Sequence, residues 1–196
     1  VAFTGDLGIF NPEFELSLRD IEQRDTDLTE TLKESVFDKL KYAPRHRFLF
    51  LTKNPAAWPR WNPWPDNAFA GWSVCNQKML DNARVGLLST EAKHKWLSVE
   101  PLLEPLEDVG EALKQTSWIA IGAATGPRKD MEKLKERYPA LTVKPFKRKF
   151  AAVPPFEWVR EIVESAKKAG IPVWLKDNLE PLFHNYHVVW TEGVKP

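Results

Sequence analysis

Six short apolar runs punctuate this chain, and their spacing constrains its fold more than any other feature. They are VAFTGD (1–6), HRFLFLTK (46–53), AFAGWSV (68–74), KHKWLSVEP (93–101), SWIAIGAATG (117–126) and IPVWLKD (171–177). Each has the length of a strand, and most are near-continuously apolar, as strands covered on both faces are. Between most of them the pattern turns helical. Asp27 with Glu30 three residues later has the form of a capping box. Leu28, Leu32, Val36 and Leu40 then repeat every four residues up to Pro44, while residues 7–25 read as a loop. A second helix is expected over 77–88, and Asp108 with Glu111 opens a short third one. The charged stretch 128–149 is partly helical. Pro155 begins the strongest helix, whose Phe156, Val159, Ile162, Val163 and Ala166 make one stripe ended by Gly170. The exception is NPAAWPRWNPWPDN (54–67), where prolines forbid a long helix. Strand–helix alternation of this kind means α/β architecture. The expectation is a partial (β/α) barrel, TIM-barrel-like, with about six parallel strands.

The strands end in polar residues. The first reaches Thr4 and Asp6, the second Thr52 and Lys53, and the third Ser73 with Asn76 close behind. The fourth reaches Ser98 and Glu100, the fifth the small-residue turn 122–126, and the sixth Lys176. Polar strand ends are common in any sheet, but in barrels and open parallel sheets the carboxyl edge is where sites form. The sharpest element is Ser-Val-Glu-Pro. Ser98 and Glu100 share a face at a period of two, and Pro101 then stops further pairing. A carboxylate there can accept hydrogen bonds from a polar ligand, hold a cation or clamp a lysine, with Lys53 and Lys176 as the candidates. No dinucleotide or phosphate-loop glycine motif is present.

Composition sets limits. The chain has 196 residues and a net charge of +1, which suits one domain spanning 1–196 without a global attraction to nucleic acid or membrane. One cysteine, Cys75, allows no internal disulfide. No apolar run approaches the ~20 residues of a membrane span, and no signal peptide is evident, so the expected compartment is the cytoplasm. Oligomeric state is not legible. The chain opens directly on a strand at Val1, which is the expectation for a fragment.

The ordered segments resemble an uncharacterised bacteriophage-protein family named after phage gene products thirty-seven and sixty-eight and related to radical S-adenosylmethionine enzymes. VAFTGDLGIFNPEF is similar to the family's strand and Phe-bearing turn, HRFLFLTKNPAAW to its LTKRP segment, and AFAGWSVCNQ to its strand ending Gly-x-Ser-Val-x-x-Gln. KWLSVEPLLEPL is the most distinctive match. SWIAIGAATGP is similar to a Gly-Gly-Glu-Ser-Gly-Pro turn, and FEWVREIVESAKKAGIPVWLKD to the final helix and strand. The resemblance covers residues 1–177.

It implies a partial barrel binding S-adenosylmethionine over its strand ends, beside a [4Fe–4S] cluster held by an upstream cysteine loop. That loop is absent from these residues, and Cys75 cannot hold a cluster alone. On this resemblance Thr4 and Asp6 line the rim near the methionine part, Ser73 and Asn76 approach the ribose, and Ser98, Glu100 and Lys176 complete a polar floor beside Thr52 and Lys53. The chain departs from the family at Ala123 and Ala124, where the family has Gly and Glu, and after Pro127.

A competing expectation is a non-catalytic binding module for nucleic acid on the same scaffold. Its motives are Trp58, Trp61 and Trp64 with Arg60, as rings that stack bases, and the cluster Lys144, Phe146, Lys147, Arg148, Lys149 and Phe150. The plainer readings are indoles covering the sheet edge and a solvated basic loop. His46 and His94 fall at the edge opposite the expected site. His184 and His187 have a spacing open to a metal but no adjacent acidic or thiol partner. Cys75 reads as an inert thiol. The ligand is therefore an unidentified small molecule or a nucleic acid.

Overall fold

The computed structural model describes the backbone of residues 2–4 and 18–183 and the side chains of residues 30–183. In chain order the elements are β1 (Ala2–Thr4), α1 (Leu18–Lys41), β2 (Phe48–Thr52), β3 (Ala68–Ser73), α2 (Gln77–Ser89), β4 (His94–Val99), α3 (Val109–Leu113), β5 (Trp118–Ile121), β6 (Ala124–Gly126), α4 (Arg128–Arg137), β7 (Thr142–Phe146), β8 (Lys149–Val153), α5 (Phe156–Ala169), β9 (Val173–Leu175) and α6 (Glu180–Phe183). All six expected strands form one sheet in the order β1-β2-β3-β4-β5-β9. Every neighbouring pair is parallel. The order runs from edge to edge without closing, so the α/β expectation holds but a closed TIM-like barrel is not seen.

Register divides the sheet into two faces. Phe50, Ala70, Trp72, Leu97, Val99, Ile119 and Ile121 point one way and are buried. They share a core with Phe37 and Leu40 of α1, Leu80 and Leu87 of α2, Leu113 of α3, and Val159, Ile162 and Ala166 of α5. The α5 stripe is buried as its spacing requires, and Gly170 closes that helix in the left-handed conformation at φ 70°. The other face carries Leu49, Leu51, Phe69, Gly71, Ser73, His94, Trp96, Ser98, Trp118, Ala120 and Trp174.

Three expectations need correction. Helix α1 begins at Leu18, so the second half of the expected loop is helical and Asp27 lies inside the helix. Residues 18–26 contain Leu, Arg, Glu and Gln, all good helix formers, which the capping-box signal at Asp27 obscured. SWIAIGAATG is two strands, because β5 ends at Ile121 and β6 belongs to a second, antiparallel sheet of order β6-β8-β7. The basic segment is the β7–β8 hairpin of that sheet, with Lys147 in its turn at φ 51°. Its charges hid the strands from a reading based on apolar runs.

Candidate functional site

Val99, Ile121 and Leu175 are register partners on three adjacent strands. The next residue on each strand is Glu100, Gly122 and Lys176, which therefore stand abreast at the carboxyl edge. Gly122 occupies the middle lane. A Cβ there would lie 2.9 Å from Glu100 Oε1 and 3.1 Å from Asn178 Oδ1. Its missing side chain lets Glu100 reach across β5, where Lys176 Nζ donates to Glu100 Oε2 at 2.6 Å and Asn178 Nδ2 donates to Oε1 at 3.0 Å. Asn178 is fixed in turn, donating to the Ala123 carbonyl at 2.8 Å and accepting from the Ala123 N–H at 3.0 Å. The two side chains of the ion pair keep 25% (Glu100) and 34% (Lys176) exposure, so a ligand can reach them.

Ser73 and Ser98 are register partners beside this network, buried on the face away from the helices. Cys75 follows, its thiol 3.7 Å from the Glu100 carbonyl oxygen. Burial pushes the Cys75 thiol up. The Lys53 ammonium and a hydrogen bond with Ser73 oppose the rise, and Glu100 adds to it. A raised value means little thiolate at neutral pH. Iodoacetamide labelling of Cys75 at about pH 8 is therefore expected to run at least about tenfold slower in the folded protein than in urea. Equal rates by mass spectrometry would contradict this burial.

The structure thus brings together Ser73, Ser98, Glu100 and Lys176, with Lys53 acting on the same cysteine. It separates two other candidates. Thr52 is in register with Trp72, on the helix-facing side, and its hydroxyl accepts from the Asn54 N–H at 3.0 Å, closing a turn. Asn76 caps α2, accepting from the Met79 N–H at 3.0 Å. The Thr4 backbone is in register with Leu51 at this edge. The side chain of Thr4 and all of Asp6 lie outside the described residues, as do His184 and His187. Asn178 is the residue that sequence reasoning missed. Its only signal is a polar amide three residues past a strand end.

The aromatic loop is core. Trp58, Trp61 and Trp64 are buried, packed with Phe37 and Phe50 at centroid distances of 5.2–6.1 Å. The Trp58 indole N–H donates to the Gly71 carbonyl at 2.7 Å. These rings present no face on which a base could stack. In the basic hairpin, Lys144 donates to the Pro181 carbonyl at 2.8 Å, and Lys147 donates to Asp177 at 2.5 Å. Among the described residues no cluster of three or more His, Cys, Asp or Glu side chains could hold a metal. No described helix is long and apolar enough to cross a membrane.

A family model described as a protein of unknown function (DUF5131) matches residues 14–137, more than half of the chain. The match takes in Ser73, Ser98 and Glu100 but stops short of Lys176 and Asn178. No curated protein and no solved structure matches the chain.

Proposed function

The chain belongs to the DUF5131 family of proteins of unknown function, and from that premise we propose that it is the ligand-binding α/β portion of a radical S-adenosylmethionine-like protein. The ligand would sit at the carboxyl edge of the parallel sheet. The observation that carries this reading is the Glu100 carboxylate, held by Lys176 and Asn178 across the vacant lane at Gly122. A ligand with an amino-acid end needs both an acceptor for its ammonium and a donor for its carboxylate, and Glu100 and Lys176 supply the two within one reachable pair. The ordered resemblance to the phage-protein family adds the second support. The consecutive parallel strand order is also that of a barrel segment, which favours the finer reading of a partial barrel.

S-adenosylmethionine, when bound, would supply a sulfonium whose cleavage to methionine and a carbon radical takes one electron from a donor outside these residues. In that complex Glu100 would orient the ammonium, Lys176 the carboxylate, and Asn178 would hold Glu100 in place. The [4Fe–4S] cluster is a different matter. Such clusters take three or four thiolates, and these residues contain one cysteine. The cluster does not fit the residues of this chain.

Titration calorimetry of the chain with S-adenosylmethionine tests the reading. Glu100→Gln and Lys176→Met are each expected to weaken binding about tenfold or more, as losing one charge-assisted bond does. Circular dichroism should show both variants folded. No binding, or binding indifferent to both substitutions, would remove the proposal. The nucleic-acid alternative retains only the hairpin cations Arg148 and Lys149 and the Arg128 guanidinium lying 5.6 Å over the Phe150 ring. Salt-dependent binding of single-stranded DNA, lost in an Arg148→Ala/Lys149→Ala variant, would favour that alternative instead.

A further inference from the structure

The amino-terminal edge of the same sheet carries a groove of about 640 Å³, within the range of small-molecule sites. It lies at the opposite end of the strands from Glu100 and is independent of the site proposed above. Its floor is the sheet face turned away from the core shared with α1, α2, α3 and α5. Phe69 and His94, register partners on β3 and β4, stack at 4.4 Å and 11°. Beside them runs a staircase of indoles. The Trp96 ring occupies the space that Gly71 leaves open, its N–H donating to the Phe50 carbonyl at 3.2 Å. Trp118 stacks on Trp96 at 4.5 Å and 4°, and Trp174 follows at 6.3 Å. Trp118 and Trp174 line the groove, and Trp174 is 56% exposed. A large ring held on a sheet face and left open to water is an unsatisfied surface.

The rim is cationic. Arg45, His46 and Arg47 stand exposed on it. Among the described residues no carboxylate pairs with either guanidinium, whereas the acid of the rim, Asp66, is engaged by Lys93 at 2.9 Å. Burial holds His94 below its ordinary value, with Lys93 and Arg47 adding to the effect against Asp66, so its ring stacks as a neutral aromatic. Aromatic walls select a flat ring by stacking. Paired guanidinium forks select a carboxylate, sulfonate or phosphate.

We propose that this amino-edge groove is a second binding site, taking a planar aromatic anion whose ring lies against Trp174 and Trp118 and whose acid group meets Arg45 and Arg47. Two sources share that chemistry, nucleotides and aryl carboxylates.

The experiment titrates the chain with 8-anilinonaphthalene-1-sulfonate, followed by dye fluorescence and by quenching of tryptophan emission. One equivalent is expected to bind with the near-ultraviolet circular dichroism unchanged, which separates a built site from dye uptake by loosened structure. The uncharged N-phenyl-1-naphthylamine should bind at least about tenfold more weakly. Trp174→Ser and an Arg45→Ser/Arg47→Ser variant should each weaken the dye about tenfold or more. Both alter exposed side chains and should leave the melting temperature within a few degrees. Glu100→Gln should leave dye binding unchanged, so that failure of either site is read separately. Displacement by adenosine 5′-monophosphate identifies a nucleotide ligand, and displacement by 1-naphthoate alone an aryl carboxylate. Displacement by neither overturns the proposal. So does the absence of stoichiometric binding, equal affinity for the uncharged analogue, or indifference to the substitutions.

Discussion

Replacing Gly71 by alanine is expected to lower the stability of the protein by about 3 kcal/mol, the upper part of the range for overpacking a filled core. Its Cβ would stand 2.3 Å from the Trp96 ring and 2.7 Å from the Phe50 carbonyl oxygen. Neither neighbour yields cheaply. The Trp96 ring is pinned between its hydrogen bond to Phe50 and its stack on Trp118, and the Phe50 carbonyl belongs to the adjacent strand. Urea denaturation checks this, with a lowered midpoint at unchanged slope as the expected result. For a domain of this size the melting temperature should fall by roughly 10 °C. Adding Trp96→Ala should restore little, because the clash with the Phe50 carbonyl remains and a buried ring is lost. Gly110 is the control. Nothing lies within 4 Å of its Cβ position, and it sits inside α3, so Gly110→Ala should be neutral or stabilising by about 0.5–1 kcal/mol. Equal effects at the two glycines would refute the packing described for β3 and β4.

The second large effect concerns Trp61. Its side chain is 0% exposed and meets Phe37 and Trp58 at 5.5 Å, Trp64 at 5.9 Å and Phe50 at 6.0 Å. Trp61→Ala should therefore cost about 3–5 kcal/mol, seen as a large fall in the thermal midpoint. Had the loop been a base-stacking platform, the same substitution would have reduced nucleic-acid affinity and left folding intact. A Trp61→Ala protein as stable as the natural chain would mean that the ring is not part of the core.

This loop shows where composition misleads. Three tryptophans among four prolines and an arginine look like a presented surface. They are instead a rigid lid over Phe50, folded inward by the short 3-10 turn Trp58–Trp61. The strands were legible because a buried strand must be apolar along its whole length whatever it pairs with. The start of α1 was not, since charged residues crowd its first turns and leave no strong apolar period there. The β6-β8-β7 sheet was hidden as well. Its strands are three to five residues long, Pro145 interrupts β7, and Lys144, Lys147, Arg148 and Lys149 crowd the hairpin, so the charge masks the short apolar stretches.

From the sequence alone came the α/β alternation, the six sheet strands, and a polar carboxyl edge bearing Ser73, Ser98, Glu100 and Lys176, because burial and backbone pairing impose local patterns that any neighbour would satisfy. Which lysine meets Glu100 was a tertiary decision. Lys53 and Lys176 both follow strands two places from β4 in the sheet order, and no local rule separates them. On one side the intervening strand leads to Cys75, whose thiol lies 3.7 Å from the Glu100 carbonyl oxygen and feels the Lys53 ammonium. On the other the lane is left empty by Gly122, and the register of Val99, Ile121 and Leu175 carries Glu100 through that gap to Lys176 and Asn178. A contact between residues 76 and 78 positions apart depends on strand order and register, which exist only once the sheet has assembled.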